Sequence, residues 1–296
     1  PVETLTLLAD DQEPHVRFHV AKNPSTPLAV LMALARDDDA SVRGQVERSA
    51  LGQAWVQEAK ESTDQSRLAE LAQMSLRTVS QALDDNPTVK ALAQEAREST
   101  DESRLAELAE LPFSPVRCVV AKNSNTPVEV LARLADDPEA WVRQGVGQNP
   151  RTPADILARL ADDQEVSPRS AAARNPSTPA NVLTLLAEDS MRRSDVAGNP
   201  STPREVLARL ADDPDASVRN VVARNPSTPE EVLERIQGAY ALIEEANDPG
   251  TTSTRLSELA ISGDRRVRDA ALVHPACPNE VREASGMVFL FAVQRA

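Results

Sequence analysis

The pentapeptide NPSTP occurs at residues 23–27, 175–179, 199–203 and 225–229, with near copies NSNTP at 123–127 and NPRTP at 149–153. Counted on its asparagine, Asn123, Asn149, Asn175, Asn199 and Asn225 follow at spacings of 26, 26, 24 and 26 residues, after a gap of 100 from Asn23. A fixed period of this size means stacked supersecondary units rather than one globular core. Ser49, Asn86 and His274 occupy the same column in more divergent units, so nine turns can be counted. Aromatic residues are 2% of the 296, and the apolar stock is mostly Ala, Leu and Val. That suits thin layers packed against their neighbours and argues against a large buried catalytic cavity.

The clearest unit is ASVRNVVARNPSTPEEVLERI, residues 216–236. Pro226 cannot continue a helix and pushes Asn225 out of the helical region, so NP ends one element. Thr228 is expected as the N-cap of the next, with Pro229 in the first helical position and Glu231 completing a capping box. Thr126/Glu129 and Thr202/Glu205 repeat that box, and Thr152/Asp155 and Thr178/Asn181 are weaker versions. After the corner, apolar residues such as Val206, Leu207, Leu210 and Ala211 form one helical stripe. The helix then runs into an Asp pair, as at Asp136-Asp137-Pro138 and Asp212-Asp213-Pro214, read as a solvated turn. A second, shorter piece follows, with Val218/Val222, Val142/Val146 and their counterparts four apart; one turn of α- or 3₁₀-helix is expected.

The motif STDQSRLAELA (62–72) returns as STDESRLAELA (99–109) 37 residues later, so these units carry 11 residues beyond the 26. An extra or longer helix is expected in QAWVQEAKE and in VKALAQEARE. EEVLERIQGAYALIEEA (230–246) reads as one long helix. The layout is a single elongated repeat domain over 1–296, with regular repeats at 1–48, irregular units at 49–110 and regular repeats at 111–236. Irregular C-terminal repeats follow at 237–283, then an apolar terminal segment at 284–296. MVFLFAV, 287–293, is expected to cap the last repeat, or alternatively to join a second chain. The opening PVETLTLLADD matches PREVLARLADD at 203–213, which places residue 1 inside a repeat and suggests a longer parent protein.

The combined pattern VRxxVAxNPxTPxxVLxxLAxDP resembles the leucine-rich repeat variant family over most of residues 1–283. The resemblance implies an all-α, right-handed α-solenoid of about nine to eleven repeats, alternating α-helices with short 3₁₀ or α pieces. It also implies a binding or scaffold role. The family's founding type holds a four-iron cluster on cysteines of a separate N-terminal region; Cys118 and Cys277 do not match that motif, and no cofactor is carried over.

Six residues before the corner stand Arg17, Arg43, Arg117, Arg143, Arg169, Arg193, Arg219 and Arg268, with Ser80 the one departure. The column is either an anion-binding ladder that could take nucleic acid, or a set of structural forks onto helix-end Asp residues and loop carbonyls. The acidity of the chain favours the second. Columns that vary from unit to unit are better partner candidates. In them lie His15, Phe18, Trp141 and Gln144, with Lys22, Lys122, Arg174 and Arg224 flanking the corner. Trp141 stands where small or polar residues are usual, as an exposed aromatic anchor or as packing between repeats. Phe18 and Cys118 are expected to be partly buried.

His15, His19 and His274 are the only histidines, and neither a catalytic motif nor a third metal ligand accompanies them. No catalytic residue and no metal is expected. A net charge of −14 opposes non-specific binding to nucleic acid or anionic membranes. Two cysteines and the lack of a long apolar run point to a cytoplasmic protein without a membrane span. The expected function is a non-enzymatic scaffold for a protein or peptide. The alternatives are nucleic-acid binding along the Arg column and the scaffold part of a longer enzyme.

Overall fold

A computed structural model describes residues 2–74 and 76–285, which form helices and connecting turns without a strand. The apolar terminal segment 287–293, and with it the expected cap or dimer contact, lies outside the described residues. The chain divides into two compact units, Pro1–Val182 and Leu183–Ala296. The first holds α1 (Val2–Leu8), α2 (Pro14–Lys22), α3 (Leu28–Leu34), α4 (Ala40–Glu47), α5 (Ala50–Glu61), α6 (Gln65–Ala72) and α7 (Arg77–Asp85). It continues with α8 (Pro87–Glu98), α9 (Glu102–Ala109), α10 (Ser114–Lys122), α11 (Val128–Leu134), α12 (Ala140–Gln148), α13 (Ala154–Ala161) and α14 (Val166–Arg174). The boundary falls within α15 (Ala180–Leu186). The second unit holds α16 (Arg193–Gly198), α17 (Arg204–Leu210), α18 (Ala216–Val222), α19 (Glu230–Asn247), α20 (Ser253–Leu259), α21 (Arg265–Val273) and α22 (Asn279–Ala284).

Within each unit the helices pack neighbour to neighbour, as in an α-solenoid of repeats. The piece that carries the Val-Arg pair is an α-helix of seven to nine residues in most repeats, two turns or more, and not a single 3₁₀ turn. These helices form a row: α2 lies on α4, and α10, α12 and α14 stack in succession. The row closes up where side chains are small. A Cβ on Gly147 of α12 would sit 2.8 Å from that of Ala171 on α14, and one on Gly145 3.1 Å from that of Ala121 on α10. The VLxxLA helices cover the row and bury their stripe, with Leu131, Leu157, Leu183 and Leu207 fully enclosed. Each such leucine contributes about 1.5–3 kcal/mol by leaving water.

The corner works differently from a capping box. In α11, α13, α17 and α19 the N-cap position is proline, and no side chain caps the helix. The threonine hydroxyl donates backwards instead, to the carbonyl six residues earlier at the end of the preceding helix: Thr26 to Val20, Thr126 to Val120, Thr178 to Ala172 and Thr228 to Val222, at 2.6–2.7 Å. Glu129 and Glu205 remain in the first helical turn, where the N-terminal dipole favours them.

The asparagine joins repeats. Its Oδ1 accepts the backbone N–H two residues on, as from Arg151 to Asn149 at 2.9 Å. Its Nδ2 donates to the preceding repeat: Asn149 to the carbonyls of Ala121 and Asn123, Asn175 to those of Gly147 and Asn149, and Asn225 to those of Ala197 and Asn199, all at 2.6–2.9 Å. These asparagines are buried, which satisfies carbonyls that would otherwise be left bare at helix ends.

The two 37-residue units each insert a whole helix, α5 or α8, as the lengths of QAWVQEAKE and VKALAQEARE suggest. The inserted helix joins the row: α5 packs on α7, and α8 on α10. Asn86 keeps its donation to the preceding unit, to the carbonyls of Ala59 and Ser62, and also caps α8 through the N–H groups of Thr88 and Val89.

Candidate functional site

In the regular repeats the arginine column closes the structure on itself. Arg117 forks onto Asp137 at 2.6 and 3.2 Å and donates to the carbonyl of Leu111. Arg143 forks onto Asp163 at 2.7 and 2.9 Å and donates to the carbonyls of Asp137 and Pro138. Arg17 does the same with Asp37 and adds Asp38. In the second unit Arg193 reaches Asp213 at 3.0 Å. Bidentate pairing needs the planar fork that arginine has and lysine lacks. The guanidinium of Arg17 holds the Asp37 carboxyl below the usual range, and that of Arg143 does so for Asp163.

The Asp pair is therefore not simply a solvated turn. Its second member is buried at Asp137 and Asp213, and it also accepts the N–H two residues on, from Glu139 and Asp215. The first member is exposed and meets an arginine of the following cover helix: Asp136 meets Arg159, and Asp212 meets Arg235 at 3.2 Å.

Four arginines of the column have no carboxylate fork among the described residues. Arg43, Arg169, Arg219 and Arg268 donate to carbonyls of their own loops. In Arg219 the Nε is buried without an acceptor among the described residues.

The variable-column residues do not form one cluster. Within the first unit Trp141 lies at the start of α12, 37% exposed, with its Nε1 donating to Glu139 at 3.2 Å. The Trp141 carbonyl accepts the thiol of Cys118 at 3.5 Å, and burial pushes that thiol's pKa up. Gln144 is half-buried on the same helix. Phe18 is half-buried and meets the His19 ring edge-on at 5.7 Å, while His15 and His19 are exposed. Lys22, Lys122 and Arg174 are exposed at the far ends of their helices, about 10 Å along the axis from the His15 and Trp141 level. Arg224 is exposed in the second unit.

A cleft that the repeat pattern does not announce lies in the first unit, about 730 Å³ in volume, between α4, α7, α8, α10 and the loop before α12. Leu76, Leu83 and Phe113 form its apolar floor; all three are buried. Arg43, Asp84 and Glu139 are among its polar lining. Burial raises the Asp84 pKa, and the charges of Asp85 and Glu139 add to that. The cleft occurs where inserted helices separate the Val-Arg helices that elsewhere stack directly. Its sequence signal was the loss of column residues at Ser80, Met74 and Leu111. Among the described residues there is no group of three potential metal ligands and no helix long and apolar enough to cross a membrane.

Four stretches of the chain, residues 14–39, 116–139, 140–165 and 192–215, match the family model described as leucine rich repeat variant. No curated protein matches the chain. The matched stretches contain the Val-Arg helix, the Asp turn and the cover helix whose contacts are described above, and these four hits support a leucine rich repeat variant family for the repeats.

Proposed function

We propose that this chain is a non-catalytic repeat scaffold that holds a protein or peptide partner, and that the partner lies in the cleft between α4, α7 and α10. The observation that carries this reading is the make-up of the cleft walls. They include Gly44 and Pro115, which stand in the variable columns of Phe18 and His15, and Ser80, where the arginine column lapses, above an apolar floor. A wall of that kind gives shape and area without committed chemistry, which suits recognition of an extended segment. Trp141 stands beside the rim through its bond to Glu139, where an aromatic side chain adds contact area.

Nucleic-acid binding along the arginine column is less well supported. Four of its eight members already hold carboxylates inside the fold, and the net charge of −14 repels phosphate. The test is selection of binders from a displayed library of random peptides, followed by affinity measurement on the chain and on Ser80→Trp. Ser80 is exposed, so the indole fills the cleft without disturbing the core. Binding that weakens at least about tenfold supports the reading. Binding indifferent to Ser80→Trp removes it.

A further inference from the structure

The regular repeats show what the edge of a column arginine accepts. In Arg117 and Arg143, Nη1 is held by a carbonyl of the arginine's own loop, and the Nε–Nη2 edge takes a carboxylate from the helix end of the next repeat, twenty residues on. Arg43 is held in the same way, its Nη1 donating to the carbonyls of Asp37 and Asp38. The 37-residue unit changes what comes next. Counted along the LxxLAxD pattern, the place of Asp37 and Asp137 is taken by Met74, which is buried at 1% exposure. No carboxylate of the described residues meets the Nε–Nη2 edge of Arg43, and the side chain lines the cleft. In the following unit both members of the pair are absent, with Ser80 for arginine and Leu111 for aspartate.

We infer that Arg43 is a carboxylate receptor: its open edge takes one acidic side chain from an extended peptide lying in the cleft, in place of the aspartate that fills this edge in the regular repeats. The inference rests on the scaffold reading and names the partner's chemistry. A fork already positioned by two carbonyls loses little freedom on binding, and bidentate geometry favours carboxylate over a neutral amide. Glu47, Asp84 and Glu139 line the same cleft without an ion-pair partner among the described residues and outnumber Arg43 and Arg77, the lining arginines that hold no carboxylate there. They oppose a run of negative charge, so a single acidic residue fits where a nucleic-acid strand or a polyacidic tract does not.

Peptides selected from the random library provide the test. Those that occupy the cleft are expected to share an Asp or Glu at one position, and its replacement by Asn or Gln weakens binding about tenfold or more. Arg43→Gln gives a similar loss and abolishes the discrimination between the acidic peptide and its amide twin, whereas Arg133→Gln, on an exposed cover-helix arginine, changes neither. Met74→Asp returns the missing carboxylate to the column. It is expected to block the acidic peptide, and to destabilise the fold much more when Arg43 is also Gln. Peptides that are lost on Ser80→Trp but show no acidic preference, or are indifferent to Arg43→Gln, overturn the carboxylate assignment and leave the scaffold reading standing. So does binding that requires a phosphorylated residue and rejects Glu in its place. A library that yields nothing sensitive to Ser80→Trp overturns both.

Discussion

The regular stretch α10–α14 and the irregular stretch α5–α9 have the same row-and-cover arrangement but fasten it with different ion pairs. In the regular stretch the arginine lies on the row helix and reaches forward to a largely buried aspartate of the next repeat, as Arg143 does to Asp163, with the two side chains 15% and 9% exposed. In the irregular stretch the arginine lies on the cover helix. Arg67 forks onto Glu58 of α5 at 2.6 and 2.9 Å and meets Glu70 at 2.7 Å. Arg104 repeats this with Glu95 and Glu107, and Arg255 with Glu245 and Glu258 in the second unit. Adding a helix to a unit thus exchanges an enclosed staple between repeats for a more exposed one within a unit. Only the first kind leaves an unfilled socket when a neighbour changes.

The corner asparagine is common to both stretches, and its removal is expected to have the largest effect. Asn149→Ala leaves the Ala121 and Asn123 carbonyls without their donor in a site of 0% exposure, a loss of about 3 kcal/mol. Asn86→Ala strips the Ala59 and Ser62 carbonyls and also the N-cap of α8, and should cost about 4 kcal/mol. Urea midpoints measure both, and the reverse order would break the idea that capping α8 adds to what the asparagine does in a regular repeat.

Gly147→Ala puts a methyl group 2.8 Å from the Ala171 Cβ and should destabilise by about 2 kcal/mol through overpacking. The same change at Gly238, where nothing lies within 4 Å, should stabilise slightly by removing a helical glycine. Thermal melts of the two variants compare a close-packed row with an open helix.

The two staples should separate under mutation and under acid. Arg143→Gln leaves Asp163 largely buried without its fork and should cost about 1–2 kcal/mol, against less than about 1 for Arg67→Gln on the more exposed triad. Asp163, Asp37 and Glu58 are all held below their usual range by the arginine each accepts from. With lowered folded values, the unfolded chain binds more protons in acid. Their stabilisation is therefore full above about pH 5 and lost as pH falls through the folded values. Urea midpoints measured from neutral pH down to about pH 3 should fall, and Asp163→Asn should flatten the fall. A small change is expected of Thr126→Val, which removes the hydroxyl from Val120 and costs about 1 kcal/mol. Glu129→Gln should cost only a few tenths, since the α11 N-cap has no side-chain bond and charge near the dipole is all that is lost.

The period, the corner, the covered stripe and the added helices were legible because each is set by residues close in sequence. The chemistry of the corner was not. Thr228 has the spacing of an N-cap, but its hydroxyl reaches the last turn of the preceding helix, which the chain passes only after reversing direction. Asn225 reads as a helix stop, while its amide bonds carbonyls 26 and 28 residues upstream, a separation no local pattern records. The cleft escaped for a related reason: it is defined by departures at Ser80, Met74 and Leu111, and each alone looks like ordinary divergence. The glutamate triads had a visible signal in the repeated SRLAEL motif with Glu58 or Glu95 nine residues before the arginine, which periodicity of apolar residues does not pick out.

The asparagine ladder also determines how such a chain can grow. Nδ2 reaches back 28 and 26 residues between regular repeats, yet 27 and 24 where a unit has been lengthened, at Asn86 and Asn123. What it requires is a helix end with two bare carbonyls at the right place, whatever lies between. Whole-helix insertions are therefore tolerated, and a new binding surface can be spliced into the array without unpicking the seam on either side.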